Sequence, residues 1–186
     1  MNPVMRLFCL LSCFLTVLSL PAPGVAADDG ADKRYALPER GFFKLRMPAG
    51  WTDRVEQKSQ AVPLISFGPS QGKPFIVTVT PQSGAGKPLP SRDELRKRVE
   101  YAAEGIRPLA VEKDIKVIEF AGASGAGFYF FATDSAPQPG EYKFMNKGML
   151  RVGDLAVDFT ILTNEGQDAV VRAALDMLKG AAHVGQ

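Results

Sequence analysis

The clearest signal in the chain is alternation. Phe43, Leu45 and Met47 are separated by Lys44 and Arg46, the period of a strand with one buried face. Pro48-Ala49-Gly50 turns the chain into a second strand from Trp51 to Lys58. Leu64–Phe67 and the β-branched run Phe75–Thr80 follow, divided by Gly68-Pro69-Ser70-Gln71-Gly72. The pattern then changes period. Leu95, Val99, Ala102 and Ile106 fall on one helical face, and Ser91 with Glu94 forms a capping box, which predicts a helix over Arg92–Ile106 ended by Pro108.

Strands return at Ile115–Phe120 and Gly127–Thr133, and in a hairpin of Tyr142–Val152 with Leu155–Leu162. If Gly153-Asp154 is its two-residue turn, Val152 faces Leu155, Leu150 faces Val157, Gly148 faces Phe159 and Asn146 faces Ile161. Leu150, Val152, Leu155, Val157, Phe159 and Ile161 then share the core face. Lys147, Met149, Arg151, Ala156, Asp158 and Thr160 form the other, read as a wet face with a surface ion cluster around Asp158. Phe128-Tyr129-Phe130-Phe131 is apolar at both parities and predicts a central strand covered on both sides. A last helix, capped by Asn164 and running over Glu165–Lys179, carries the stripe Val170, Val171, Ala174, Met177 and Leu178. The fold class is therefore α+β: a largely antiparallel β-sheet covered by two amphipathic helices in an α/β/α-type sandwich.

The first 27 residues have a different character. Arg6 precedes an apolar and small-residue run, Leu7–Leu20; Pro21, Pro23 and Gly24 break it, and Val25-Ala26-Ala27 places small residues at the −3 and −1 positions before Asp28. This is the layout of a secretory signal peptide cleaved between Ala27 and Asp28, which implies a periplasmic or secreted protein with no stable membrane anchor after cleavage. Lipidation at Cys13, after Leu11-Ser12, is the alternative. Residues 28–41 are expected to be a flexible N-terminal tail and 42–183 a single domain. After cleavage about 159 residues remain, enough for a core of their own. Both cysteines, Cys9 and Cys13, lie in the leader, so the mature chain must fold without disulfides.

The charges nearly balance, with 22 Lys and Arg against 20 Asp and Glu, which gives no reason to expect a nucleic-acid partner. Gly122-Ala123-Ser124-Gly125-Ala126-Gly127 approximates a nucleophile elbow, but Ala126 stands where that turn needs glycine. The single histidine, His183, follows the last helix stripe, too near the C-terminus to be an expected partner for Ser124. One histidine and no mature cysteine leave almost no ligands for zinc or copper, and Asp28, Asp29 and Asp32 lack calcium-loop spacing. Gly84-Ala85-Gly86-Lys87 ends like a phosphate loop, but position 81 is Pro81 and position 88 is Pro88. No catalytic, metal or cofactor site is expected. As an exposed loop, Gly84, Gly86 and Lys87 are the candidate partner-binding residues. Arg96-Lys97-Arg98 is interleaved with Asp93, Glu100 and Glu104 on a solvated helix face, and Trp51 is expected to close one end of the core.

The strand entering Met47-Pro48-Ala49-Gly50-Trp51, the meander, the capped helix, the glycine-turn hairpin and the terminal helix together resemble the PsbP-like fold over about Phe42–Ala182. That resemblance implies an antiparallel sheet between helices and a non-catalytic role in binding or assembly. The expectation is an exported binding or accessory protein of the cell envelope, with a partner that fold analogy does not name. Two alternatives are carried: a hydrolase using carboxylates alone, which needs two acids facing across a cleft, and a carrier of a small apolar ligand, which needs a cavity between sheet and helix.

Overall fold

The computed structural model describes residues 30–56, 62–83 and 88–185. The alternating segments form strands β1 (Ala31–Leu37), β2 (Gly41–Met47), β3 (Trp51–Glu56), β4 (Leu64–Pro69), β5 (Ile76–Ser83), β6 (Val117–Gly122), β7 (Gly125–Thr133), β8 (Phe144–Val152), β9 (Leu155–Thr163) and β10 (Ala182–Val184); the helices are α1 (Arg92–Ile106) and α2 (Asp168–Lys179). The fold is α+β, with every strand pair antiparallel.

A seven-stranded sheet runs β3-β4-β5-β9-β8-β7-β6, and a three-stranded sheet runs β1-β2-β10. The second sheet joins α2 over one face of the first. Phe43, Leu45 and Met47 pack there with Ile65, Val77, Val79, Leu150, Val157, Phe159 and Leu178 in the larger core cluster. Helix α1 covers part of the opposite face, where Leu95, Val99 and Ala103 meet Phe128, Phe130, Met149 and Ala156.

The hairpin register is as the turn demands: Val152 opposes Leu155, Leu150 opposes Val157, Gly148 opposes Phe159 and Asn146 opposes Ile161. Gly153 takes φ +57°, the conformation a glycine supplies at the first central turn position. The predicted core face is buried throughout. The face expected to be wet is largely covered: α1 lies over it, burying Met149 and Ala156 and leaving Asp158 half-buried beside Arg98 and Lys147, while Arg151 stays exposed. The ion-cluster expectation took the second face to be solvent because hairpin parity alone does not say where a distant helix lands.

Three further expectations are corrected. Residues 31–37, read as part of a flexible tail, form β1, with Tyr35 and Leu37 buried against the larger core. Its alternation is interrupted by charges, but Tyr35 and Leu37 share the inward parity, and pairing with β2 satisfies its backbone. Strand β7 is next to the edge strand β6 rather than central, so Phe128 and Phe130 are buried under α1 while Phe131 is 39 % exposed on the other face. Helix α2 begins at Asp168, not Glu165, because Gly166 sits at φ +76° and cannot continue a right-handed helix. Asn164 instead accepts a hydrogen bond from the Lys143 backbone N–H at 3.0 Å.

Candidate functional site

The cleft of interest follows from which part of the sheet α2 fails to cover. On the α2 face, strand register places three cross-strand rows side by side: Ile118 with Tyr129 and Gly148, Phe131 with Asn146 and Ile161, and Phe144 with Thr163. Helix α2 reaches over this corner only with Val171, Arg172 and Leu175, and its N-terminal turn Gly166-Gln167-Asp168 closes one end. The result is a cleft of about 480 Å³ between sheet and helix, within the usual size of a small-ligand site. Its walls are aromatic and aliphatic. Phe131 and Phe144 lie with ring centroids 5.8 Å apart and tilted by 30°, and Ile118 is 45 % exposed toward the opening.

Two polar side chains set this cleft apart. Asn146 is 4 % exposed and Thr163 is 2 % exposed, yet among the described residues neither side chain makes a hydrogen bond. Neither is sealed in the core: no fully enclosed side-chain nitrogen or oxygen is left without a partner among the described residues, so the polar atoms of both open onto the cleft they line. Open to the cleft, the amide and the hydroxyl are available to a hydrogen-bonding group of a bound molecule, which would take the place of water there. Sheet geometry makes the two residues diagonal neighbours, ~7 Å apart, on the pairing of Asn146 with Ile161.

The remaining polar groups of the cleft are either engaged or at its rim. Gln167 is buried, accepts from the Asn164 N–H at 2.6 Å and donates to the carbonyls of Lys73 and Pro74 at 3.3 and 3.1 Å, which pins the start of α2 to the β4–β5 connection. Glu165 is exposed and pairs with Lys143 at 2.7 Å; that hydrogen bond and the ammonium charge hold its carboxyl below the ordinary range. No side chain caps α2; the Val170 and Val171 N–H groups donate to the Gln167 carbonyl at 2.9 and 3.3 Å, and Asp168 of the first turn lines the cleft.

Other hollows lack these features. Two more open ones, of about 530 and 570 Å³, are lined by Arg46, Met47 and Met177, and by Pro74, Pro137 and Pro139, with no buried unpartnered polar side chain among their described residues. Beneath α1, a space of about 50 Å³ beside Asp158 is too small for a ligand. Burial raises the Asp158 pKa, against the charges of Lys147 and Arg98 and a hydrogen bond from Gln82.

Of the residues singled out in the sequence, Ala27, Asp28, Gly84, Gly86 and Lys87 lie outside the described residues. The flanking Ser83 pairs with Leu155, at the end of β9 opposite Thr163, so that strand end is distant from the cleft. Ser124 is in the β6–β7 turn, while His183 lies in β10 with Nε2 2.8 Å from the Arg40 carbonyl oxygen. Trp51 packs on Phe75 at 4.6 Å against the core. Among the described residues no three of His, Cys, Asp and Glu cluster as metal ligands, and no helix is long and apolar enough to cross a membrane. Sequence reasoning missed Asn146 and Thr163. The available signal was that Asn146 shares the parity of Leu150 and Val152 on the core face of the hairpin.

No family model and no curated protein matches the chain. Among solved structures, a protein of Bacteroides thetaiotaomicron VPI-5482, determined by crystallography at 1.50 Å, has a similar fold, with a TM-score of 0.59 at 11 % identity. The match covers 85 % of this chain and 50 % of the other, so the chain spans about half the length of that structure. The likeness is one of fold alone.

Proposed function

We propose that the chain is an exported, non-catalytic binding protein of the cell envelope that holds a small, largely apolar ligand in the cleft between α2 and strands β6–β9. The observation that carries this reading is a pair of side chains, Asn146 and Thr163, which have little exposed surface, make no hydrogen bond among the described residues and open onto an aromatic-walled cleft of about 480 Å³. Ligand pockets combine apolar walls with a small number of placed polar groups, and this pair supplies them. Export rests on the leader-like first 27 residues. Membership of the PsbP-like group belongs to the same proposal, supported by the order of elements.

The carboxylate hydrolase gains no support here. Glu165 and Asp168 are the acids at the cleft, and Glu165 is held ionised by Lys143, the opposite of what a proton donor needs. The test is to purify the protein from its own host without denaturation, release bound small molecules with organic solvent, and identify them by mass spectrometry. A stoichiometric compound lost from Val171→Trp, which fills the cleft from the helix side, is the expected result. Equal recovery from that variant, or no compound from either, contradicts the proposal.

A further inference from the structure

We infer that the ligand of this cleft presents an uncharged hydrogen-bonding head, a carboxamide or a heterocycle edge of the same donor–acceptor character, bound deep between Asn146 and Thr163 on an apolar, ring-sized body. The inference rests on the proposed ligand-binding role of the cleft and adds the chemistry of the occupant.

The base of the cleft is polar but carries no charge. Asn146 offers an amide that both donates and accepts, and Thr163 a hydroxyl that does the same. A group that reciprocates both satisfies four bonding directions at once, whereas a purely accepting or purely donating group leaves part of each residue unpaired. A charged head at that depth would lose its hydration with no opposite charge beside it. The cations nearby are Arg172, exposed on α2 at the rim, and Lys143, which stands 5.5 Å from the Phe144 ring centroid but is already paired with Glu165 at 2.7 Å. The α2 N-terminus favours negative charge, but Asp168 in its first turn already supplies it and Glu165 lies alongside, so a second anion there meets repulsion.

The body is set by the walls. Ile118, Tyr129, Phe131 and Phe144 form the sheet side, and Val171 and Leu175 the helix side. The paired rings of Phe131 and Phe144, with centroids 5.8 Å apart, offer flat surface to a planar ligand.

Three probes of one shape separate these elements: benzamide, benzoate and toluene, each titrated into the ¹⁵N-labelled mature protein with amide and side-chain shifts followed by NMR. The expected result is that benzamide shifts the Asn146 side-chain amide and the Thr163 backbone and binds about tenfold more tightly than the other two. Asn146→Leu should bring benzamide to within about twofold of toluene while toluene still binds. If toluene binds in the cleft and benzamide is no tighter, or if benzoate is tightest, the neutral-head inference fails and the cleft remains a ligand site. If none of the three moves resonances of the cleft, the inference and the proposed function fail together.

Discussion

The Tyr35 hydroxyl donates to Asp53 Oδ2 at 2.9 Å, and so joins the three-stranded sheet to the edge strand β3 of the seven-stranded one. Lys33, two residues back on β1 and so on the same side, reaches the other carboxylate oxygen at 2.7 Å. Burial alone would raise the Asp53 pKa, but the hydrogen bonds from Lys33 and Tyr35, with the Lys33 charge, hold it below the ordinary carboxylate value. Burial, and then the bond to Asp53, push the Tyr35 phenol far above its own ordinary range, so it remains the donor at any physiological pH.

Removing this link should loosen the covering sheet. Tyr35→Phe keeps the ring in the core and deletes one hydrogen bond, with an expected cost of about 1 kcal/mol in urea unfolding. Because the folded Asp53 value is depressed, its contribution is present above the ordinary carboxylate range and is lost as pH falls through the lowered value. Tyr35→Phe should move that loss to higher pH, read as an earlier onset of acid unfolding. Unchanged stability and an unchanged acid limb would show that the Tyr35 bond adds nothing to what the Lys33–Asp53 pair and packing supply.

Asp158 predicts the opposite sign. Its folded value is raised, so the neutral carboxyl is favoured in the folded state; that stabilisation is present below the ordinary value and is lost as pH rises through the raised one. Asp158→Asn should therefore be more stable than the parent protein at neutral pH, with the advantage shrinking as the pH falls through the raised value and gone below the ordinary one, about 4. Thermal melts across that range check it, and a variant that is less stable at neutral pH would mean the charges of Lys147 and Arg98 outweigh burial.

Gly148 tests the packing under the cleft. A Cβ there would meet the Phe128 carbonyl oxygen, lie 2.6 Å from the Tyr129 Cβ and 2.7 Å from the Phe159 ring. Two of those neighbours are backbone or backbone-fixed, so relief requires strands β7 and β8 to part. Gly148→Ala should cost about 2 kcal/mol or more, measured by urea unfolding. A near-neutral effect would indicate a looser β7–β8 pairing.

The proposed leader, residues 1–27, carries its own prediction. If Val25-Ala26-Ala27 is the cleavage site, the exported protein begins at Asp28. Edman sequencing from the host should read Asp-Asp-Gly. A blocked start at lipid-modified Cys13 would overturn both the site and the soluble location.

What the sequence made legible was local. The capping box at Ser91 is present, with the Glu94 N–H bonded to Ser91 Oγ at 3.3 Å and the Ser91 N–H to Glu94 Oε2 at 2.7 Å. The β8–β9 register also follows from turn length and parity, both of which act between near neighbours. Features set by distant packing were not legible. The second sheet depends on β10 returning to β2, so that His183 pairs with Phe43 across most of the chain. Arg92 of α1 grips Glu119 of β6 at 2.6 Å, a contact no helical period reveals. The cleft was hidden for the same reason: Asn146 looks like a stray polar residue on a core face until α2 is seen to stop short of it.

A crystal structure of the mature protein purified from its own host without denaturation, with the cleft between α2 and β6–β9 viewed in an omit map, tests ligand binding most directly. The expected result is continuous density for a small molecule against Phe131 and Phe144, with a polar group within hydrogen-bonding distance of both the Asn146 amide and the Thr163 hydroxyl. A cleft filled only by ordered water, or closed by its own side chains with Asn146 and Thr163 bonded to each other or to the backbone, would contradict it.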